Sequence, residues 1–275
     1  NSGVLAARNV ADESQRSDII DNLLLLHSRL GHININNMKD LQKNNCLSNL
    51  PASLNQALTT ATTIHCEACA IAKSHRTTLP SAATFRASRT LELIHSDICG
   101  PMQTATIGGA RYMVTFIDDH SRLAVVKLLK NKHEVMQHFV DFKAQVENAT
   151  GNCIITFRSD NGGEYCSHQF EDYFAKHGII HQLSTPYTPA QNGVAERFNR
   201  NIIESARTLL HDAKLHNSFW GEAVATAVYL KNRTPHRALQ QQSPYFLWFG
   251  RQPDLRHLRV FGCPAFAHIN DVGRQ

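Results

Sequence analysis

Cys153-Ile154-Ile155-Thr156-Phe157-Arg158-Ser159-Asp160-Asn161-Gly162-Gly163 is a short apolar run that stops at a charged, glycine-rich turn. A run of that length between turn formers reads as a buried strand. Helical patterns flank it. Upstream, Glu134 to Asn148 places Val135, Phe139, Phe142 and Val146 at helical spacing. Downstream, Phe170 to His177 reads as a helix closed by Gly178, and Ile179 to Leu183 as another strand. Three earlier strands, Leu91 to Ile98, Tyr112 to Ile117 and Leu123 to Leu129, are joined by short polar connections and read as an antiparallel meander. After the Pro-, Asn- and Gly-rich loop Thr185 to Gly193, a long helix runs to about Lys214, and a further helix, Phe219 to Asn232, stops before Pro235. The order predicts an α/β domain with a mixed five-stranded sheet and flanking helices.

The rest of the chain divides around this domain. Residues 1–22 read as a polar arm, 23–80 as a small His/Cys domain with a short helical pattern and a Ser/Thr/Asn-rich middle (Ser48 to Thr63), and 81–90 as a linker. The large domain occupies 91–255. Residues 256–275 read as the start of a truncated region in which Leu258 to Ile269 begins new strands. The chain opens on Asn1, which suggests a piece of a longer precursor.

Composition narrows the function classes. Of 275 residues, 42% are hydrophobic and 19% charged, which suits a globular protein and not a disordered one. No apolar stretch approaches the ~18 residues of a membrane span, and the run Leu23 to Leu26 is too short for a signal-peptide core. The formal charge of +5 permits a polyanionic partner without requiring one. Seven cysteines, an odd number in a chain this long, favour thiols or metal ligands over a disulfide scaffold.

Three carboxylates fall where a site could form. Asp97 ends the first strand, Asp160 ends the fourth, and Glu196 lies in the first turn of the long helix, with 35 residues between it and Asp160. If strands one and four are neighbours, Asp97 and Asp160 meet, and the helix start delivers Glu196. Mg²⁺ and similar hard cations take such oxygen ligands, and two ions ~3.5–4 Å apart can drive phosphodiester chemistry. Each acid alone is more often a turn former or helix cap. Asp118, Asp119 and Glu164 are rival acids and rank lower.

A second constellation precedes it. His27 and His32 have four residues between them, and Cys66-Glu67-Ala68-Cys69 follows after a gap of 33. Two imidazoles and two thiolates suit one tetrahedral Zn²⁺, which would stabilise a segment too small for a large core. A redox Cys pair would want a βαβ context, which is missing here. His65 and His75 are decoys. Cys46, Cys99, Cys153, Cys166 and Cys263 read as small buried hydrophobes.

Three motifs carry a family likeness: His95-Ser96-Asp97-Ile98-Cys99-Gly100-Pro101, Asp160-Asn161-Gly162-Gly163-Glu164-Tyr165 and Asn192-Gly193-Val194-Ala195-Glu196-Arg197. They resemble the core of retroviral-type integrases, above all those of copia-type long-terminal-repeat retrotransposons. Phe261-Gly262-Cys263-Pro264 resembles a stretch just beyond that core, and the His, His, Cys, Cys order resembles the family's amino-terminal zinc domain. The resemblance covers about 25 to 270. It implies a ribonuclease-H-like fold, and 3′-end processing and strand transfer on double-stranded DNA, both element ends and target. It also implies Asp97, Asp160 and Glu196 holding two Mg²⁺ or Mn²⁺ ions, and one structural Zn²⁺. It further implies multimers, no membrane, and passage from a cytoplasmic virus-like particle to the nucleus. No expected catalytic position is substituted. The rivals are a ribonuclease-H-like nuclease and a non-catalytic DNA-binding or assembly module from a decayed element.

Candidate DNA contacts follow from helix geometry. Asn199 and Arg200 lie three and four residues beyond Glu196, on one face with it, and Arg197 and Arg207 flank them. In the preceding loop, Gln191 and Tyr187 are placed to touch a strand end. Lys73, His75, Arg76, Arg86 and Arg89 make the linker basic, while Trp220, Tyr229, Tyr245 and Trp248 read as packing anchors.

Overall fold

The computed structural model describes residues 19–47, 49–72, 86–184 and 193–265. At its centre β1 (Leu93–Cys99), β2 (Tyr112–Asp118) and β3 (Ala124–Leu129) form the antiparallel meander. β4 (Thr156–Ser159) and β5 (Ile180–Leu183) then add in parallel on the other side of β1, giving the order β3-β2-β1-β4-β5. This is the mixed five-stranded sheet that the sequence predicts. The largest boundary shift is at β4, which begins at Thr156; Ile154 is buried but precedes the ladder.

Successive side chains of a strand point to opposite faces, so each strand feeds two cores. From β2, Val114 and Phe116 enter one core and Met113 and Ile117 the other. The first core is covered by α5 (Val135–Thr150) and α6 (His168–His177). Six phenylalanines meet there, with Phe116 stacked on Phe142 and Phe139 edge-on to Phe157, each pair 4.7 Å apart. Such ring pairs contribute about 1 kcal/mol each beyond their burial. The second core is covered by α7 (Gly193–Ala213) and α8 (Trp220–Arg233). α7 turns Ala195, Ile202, Ala206 and Leu209 inward. Trp220 is buried and donates its indole N–H to the Thr104 carbonyl, and Arg233 stacks on Tyr229 and Tyr245.

The amino-terminal region is helical. α1 spans 19–29, followed by α2 (Ile35–Lys43), α3 (Ala52–Thr60) and α4 (Glu67–Ala72). α3 occupies the polar middle of this region because Leu54 and Leu58, one turn apart, give it an apolar edge. They join Leu23, Leu26, Leu30, Met38 and Leu41 in a small separate core.

Two expectations are corrected. The described part of 256–275 forms no strand. Leu255 and Leu258 pack into the small amino-terminal core and Phe261 against the α7–α8 core, so the apolar side chains of this segment are used against helical packing and not in a strand ladder. Phe266 to Ile269 lies outside the described residues. Of the five cysteines read as buried hydrophobes, Cys46 is buried and Cys99 half-buried, whereas Cys153, Cys166 and Cys263 are exposed. After α8, the six-residue α9 (Pro244–Phe249) closes the described helices.

Candidate active site and metal centre

The acidic cluster follows from the strand register. His95 of β1 pairs with Arg158 of β4 in parallel. Two residues further along each strand stand Asp97 and, just past β4, Asp160. Parallel neighbours are ~4.8 Å apart and a two-residue step keeps the face, so the register itself draws these acids together. Glu196 enters from the first turn of α7, where it is exposed. Burial, and then the charges of Asp160 and Glu196, push the Asp97 carboxyl up to about 6, against a hydrogen bond from Asn199 that holds it down.

The surrounding hydrogen bonds fix the acids. Asp160 Oδ1 accepts the Gly162 amide at 3.1 Å, closing a tight turn. A Cβ on Gly162 would sit 3.0 Å from that oxygen and 2.9 Å from the Glu164 carboxyl carbon, so any side chain there would push one or both carboxylates aside. Glu164 is paired with Lys132 at 3.0 Å. Beneath the cluster, the fully buried Tyr165 and Ser96 hydroxyls lie 2.7 Å apart and tie the Asp160 loop to β1.

Asn199 corrects the predicted DNA contact. It is buried, its amide N–H₂ donates to Asp97 Oδ2 at 2.9 Å, and its carbonyl accepts the Thr115 hydroxyl at 3.0 Å. Both ends of the amide are used inside the protein, so it orients Asp97 and does not face a nucleic acid. The signal was legible: Asn199 lies between Ala195 and Ile202 on the inward stripe of α7. Arg197, Arg200 and Arg207 are exposed on that helix. Gln191, Tyr187, Lys73, His75 and Arg76 lie outside the described residues. Arg86 is tethered by its Nη2, which donates to the His120 carbonyl at 2.8 Å.

Asp118 and Asp119 are structural in a way their turn position did not reveal. Asp118 accepts the Leu91 and Ser121 amides. Asp119 is buried with His95 at 2.8 Å and Arg122 at 3.0 Å. Burial pushes the Asp119 carboxyl up, but the His95 hydrogen bond and the Arg122 charge outweigh it and hold it at about 2.

The His/Cys cluster is assembled. His27, His32, Cys66 and Cys69 each bring one ligand atom to within 4.8 Å of the others. His27 Nε2 lies 3.3 Å from Cys69 Sγ, and His32 Nδ1 lies 3.3 Å from Cys66 Sγ. Both imidazoles are buried. His27 and His32 flank the end of α1, where the chain reverses and the His32 amide donates to the His27 carbonyl. The cysteines straddle the start of α4. The decoy His65 is exposed, and His75 lies outside the described residues.

This strand order, with acids at the ends of two adjacent parallel strands and at a following helix start, defines a ribonuclease-H-like domain carrying a His/Cys module. Residues 87–189 match the family described as Integrase core domain, and residues 5–74 match the GAG-pre-integrase domain. The chain thus matches a GAG-pre-integrase model followed by an integrase-core model, and the resemblance to retrotransposon integrases is borne out. It is 44% identical over 245 residues to the Retrovirus-related Pol polyprotein from transposon TNT 1-94 of Nicotiana tabacum, a match covering 89% of this chain and 18% of the relative. It is 38% identical over 248 residues to the corresponding polyprotein from transposon RE2 of Arabidopsis thaliana, covering 90% of this chain and 16% of the relative. The chain therefore spans less than a fifth of the length of these relatives. In fold it is similar to a chain of the simian T-cell lymphotropic virus intasome in complex with PP2A regulatory subunit B56 gamma. That likeness has a TM-score of 0.51 at 17% identity and covers 83% of this chain and 76% of that one. Among the described residues no helix is long and apolar enough to cross a membrane.

Proposed function

We propose that this chain is the DNA-joining segment of a retrotransposon polyprotein, and that it inserts linear element DNA into target DNA at the Asp97, Asp160 and Glu196 cluster. The observation that carries the reading is the parallel β1–β4 register that sets Asp97 beside Asp160, with Glu196 in the first turn of α7 near enough for its charge to bear on Asp97. Three carboxylates with no soft ligand among them suit Mg²⁺ or Mn²⁺, and a divalent cation would relieve their mutual repulsion. Asp97 and Asp160 would share one ion, and Glu196 would complete a second site. Such ions, when bound, activate an attacking hydroxyl and offset the charge on a leaving oxygen.

The chain's own groups supply position. Asn199 holds the Asp97 carboxylate in one orientation. The Gly162 turn and the Ser96–Tyr165 pair hold the Asp160 loop. Arg200 and Arg197, exposed on the same helix as Glu196, would take backbone phosphates. The element's 3′-hydroxyl, its proton passing to solvent, would attack a target phosphodiester directly, with no covalent enzyme intermediate. The new P–O bond forms as the bond to the target strand's own 3′-oxygen breaks, and that oxygen leaves as a free 3′ end. Holding the two DNAs in line is then the main contribution of the protein. The His₂Cys₂ module is read as a structural zinc site, and the working form as a multimer on double-stranded DNA.

A strand-transfer assay with a recessed element end, in Mg²⁺ or Mn²⁺, tests this. The wild-type protein joins the end to target DNA, and Asp160→Asn does not while keeping its folded spectrum. Joining by a folded Asp160→Asn protein would overturn the assignment. Cleavage without joining by the wild-type protein would identify a nuclease instead.

A further inference from the structure

His32 shows its two ring nitrogens to different parts of the molecule. Nδ1 faces Cys66 Sγ at 3.3 Å, and Nε2 faces Asp212 Oδ2 at 3.4 Å. Asp212 belongs to α7, the helix that presents Glu196 at its other end. The ring has no solvent exposure, while the Asp212 side chain retains 34% of its own. His27 is the counterpart: its Nε2 faces Cys69, and its Nδ1 lies 2.9 Å from the Ile33 carbonyl within the same module. Each imidazole thus has one nitrogen beside a thiol; the other is hydrogen-bonded to an oxygen in His27, whereas in His32 it has the Asp212 carboxylate 3.4 Å away, close enough for an ion pair but without hydrogen-bond geometry. A ligating imidazole offers a lone pair on one nitrogen and carries its proton on the other. An acceptor on that proton fixes the tautomer and ring and strengthens the ligand. For His27 that acceptor is local backbone. For His32 the oxygen within reach is a carboxylate of α7, which a small shift of either side chain would bring into hydrogen-bond geometry.

The contact lies within a close fit. Gly31, just before His32, has φ +68°, and a Cβ on it would fall 2.2 Å from Leu230 Cδ1 of α8. The turn that aims His32 is therefore pressed onto α8 while the ring reaches α7.

We propose that Asp212 is the positioning residue for the zinc ligand His32, and that it couples zinc capture by the amino-terminal module to the helix bearing Glu196. The proposal rests on the zinc reading above. Coupling of this kind is reciprocal: a carboxylate that tightens zinc binding is itself restrained by the bound ion.

The test is zinc affinity of the full chain, by competition with a chromophoric chelator, for wild type, Asp212→Asn, Asp212→Ala and Asp212→Glu. Removing the acceptor weakens zinc binding by about 10- to 100-fold, and Asp212→Glu restores most of the loss. Asp172→Asn, an exposed acid on α6, leaves the affinity unchanged. Imidazole NMR of the zinc-loaded protein shows a protected His32 Nε2–H that vanishes in Asp212→Ala and returns in Asp212→Glu. If wild type takes up zinc and the Asp212 variants hold it equally tightly, the proposal fails and the zinc site stands. Weaker binding with an unchanged His32 resonance and no rescue by Glu would also overturn it, as a nonspecific charge effect. A folded wild-type chain that takes up no zinc removes both the site and the proposal.

Discussion

The His/Cys cluster and the acidic cluster are both built from residues far apart in the chain, yet they are assembled to different degrees. The four His/Cys ligand atoms lie within 4.8 Å of one another, and among the described residues no other group of three or more such side chains is gathered so tightly. Asp97 feels the charges of Asp160 and Glu196, but Asp97 and Asp160 are fixed to the sheet while Glu196 is exposed on a helix start. The difference is chemical. Imidazoles and thiols can be brought together uncharged, held by packing and hydrogen bonds. Three carboxylates repel until a cation joins them. The fold therefore completes one site in advance and leaves the other under electrostatic tension.

The largest expected effect breaks the comparison on its zinc side. Cys66→Ser removes one ligand from a module with a small core. Structural zinc contributes on the order of 10 kcal/mol to such domains. Zinc content falls to zero, and hydrogen exchange shows α1 to α3 losing protection while the sheet keeps it. Unchanged protection would mean that the module folds without metal.

On the acidic side, Asp97→Asn has opposite consequences for activity and stability. Strand transfer falls by on the order of 10³-fold. The fold, without added Mg²⁺ or Mn²⁺, becomes more stable at pH 7.5 by about 1–2 kcal/mol, after allowing for solvent screening. The sign follows from the proton balance. The ordinary value is 3.8 and the folded value about 6, so in that window the folded protein holds more protons than the unfolded chain. Stability is then lost as pH rises through the window. The gain from Asn is full above about pH 6 and absent below about pH 4. Thermal melts at pH 4 and 7.5 check this, and an equal effect at both values would contradict it.

Asn199→Leu removes the hydrogen bond that favours the Asp97 carboxylate. The acid limb of metal-dependent activity moves to higher pH by about one unit, and activity at pH 7 falls by roughly tenfold. A lower rate with an unmoved limb would mean that Asn199 acts only by packing. The smallest effect is that of Arg200→Ala. DNA affinity drops a few-fold, and the slope of log K against log salt becomes shallower by about one. An unchanged slope would remove this phosphate contact.

The sheet, its helices and the order of the acids were legible because buried strands and amphipathic helices carry their period in the sequence. The His/Cys set was legible from ligand type and spacing. What sequence could not give depends on which side of an element faces inward in three dimensions. Helix spacing from Glu196 puts Asn199 on the Glu196 face, while the apolar stripe through Ala195 and Ile202, legible in the sequence, turns it inward; that its partner there is Asp97 emerges only in three dimensions. The burial of Asp119 with His95 and Arg122 is a long-range contact with no local pattern. Asp212 reads as an ordinary polar residue near a helix end. Its meeting with His32 exists only once the module docks on α7. The strand-like alternation from Leu258 onward misled because apolar spacing records burial, and here the burial is against helices.

Diffraction from crystals of the DNA-bound protein grown with Mn²⁺, measured at an energy where manganese scatters anomalously, is the most direct test of the acidic cluster. The expected result is two anomalous peaks about 3.5–4 Å apart, in contact with carboxylate oxygens of Asp97, Asp160 and Glu196. Manganese bound elsewhere, with these three carboxylates left unligated beside the DNA, would contradict it.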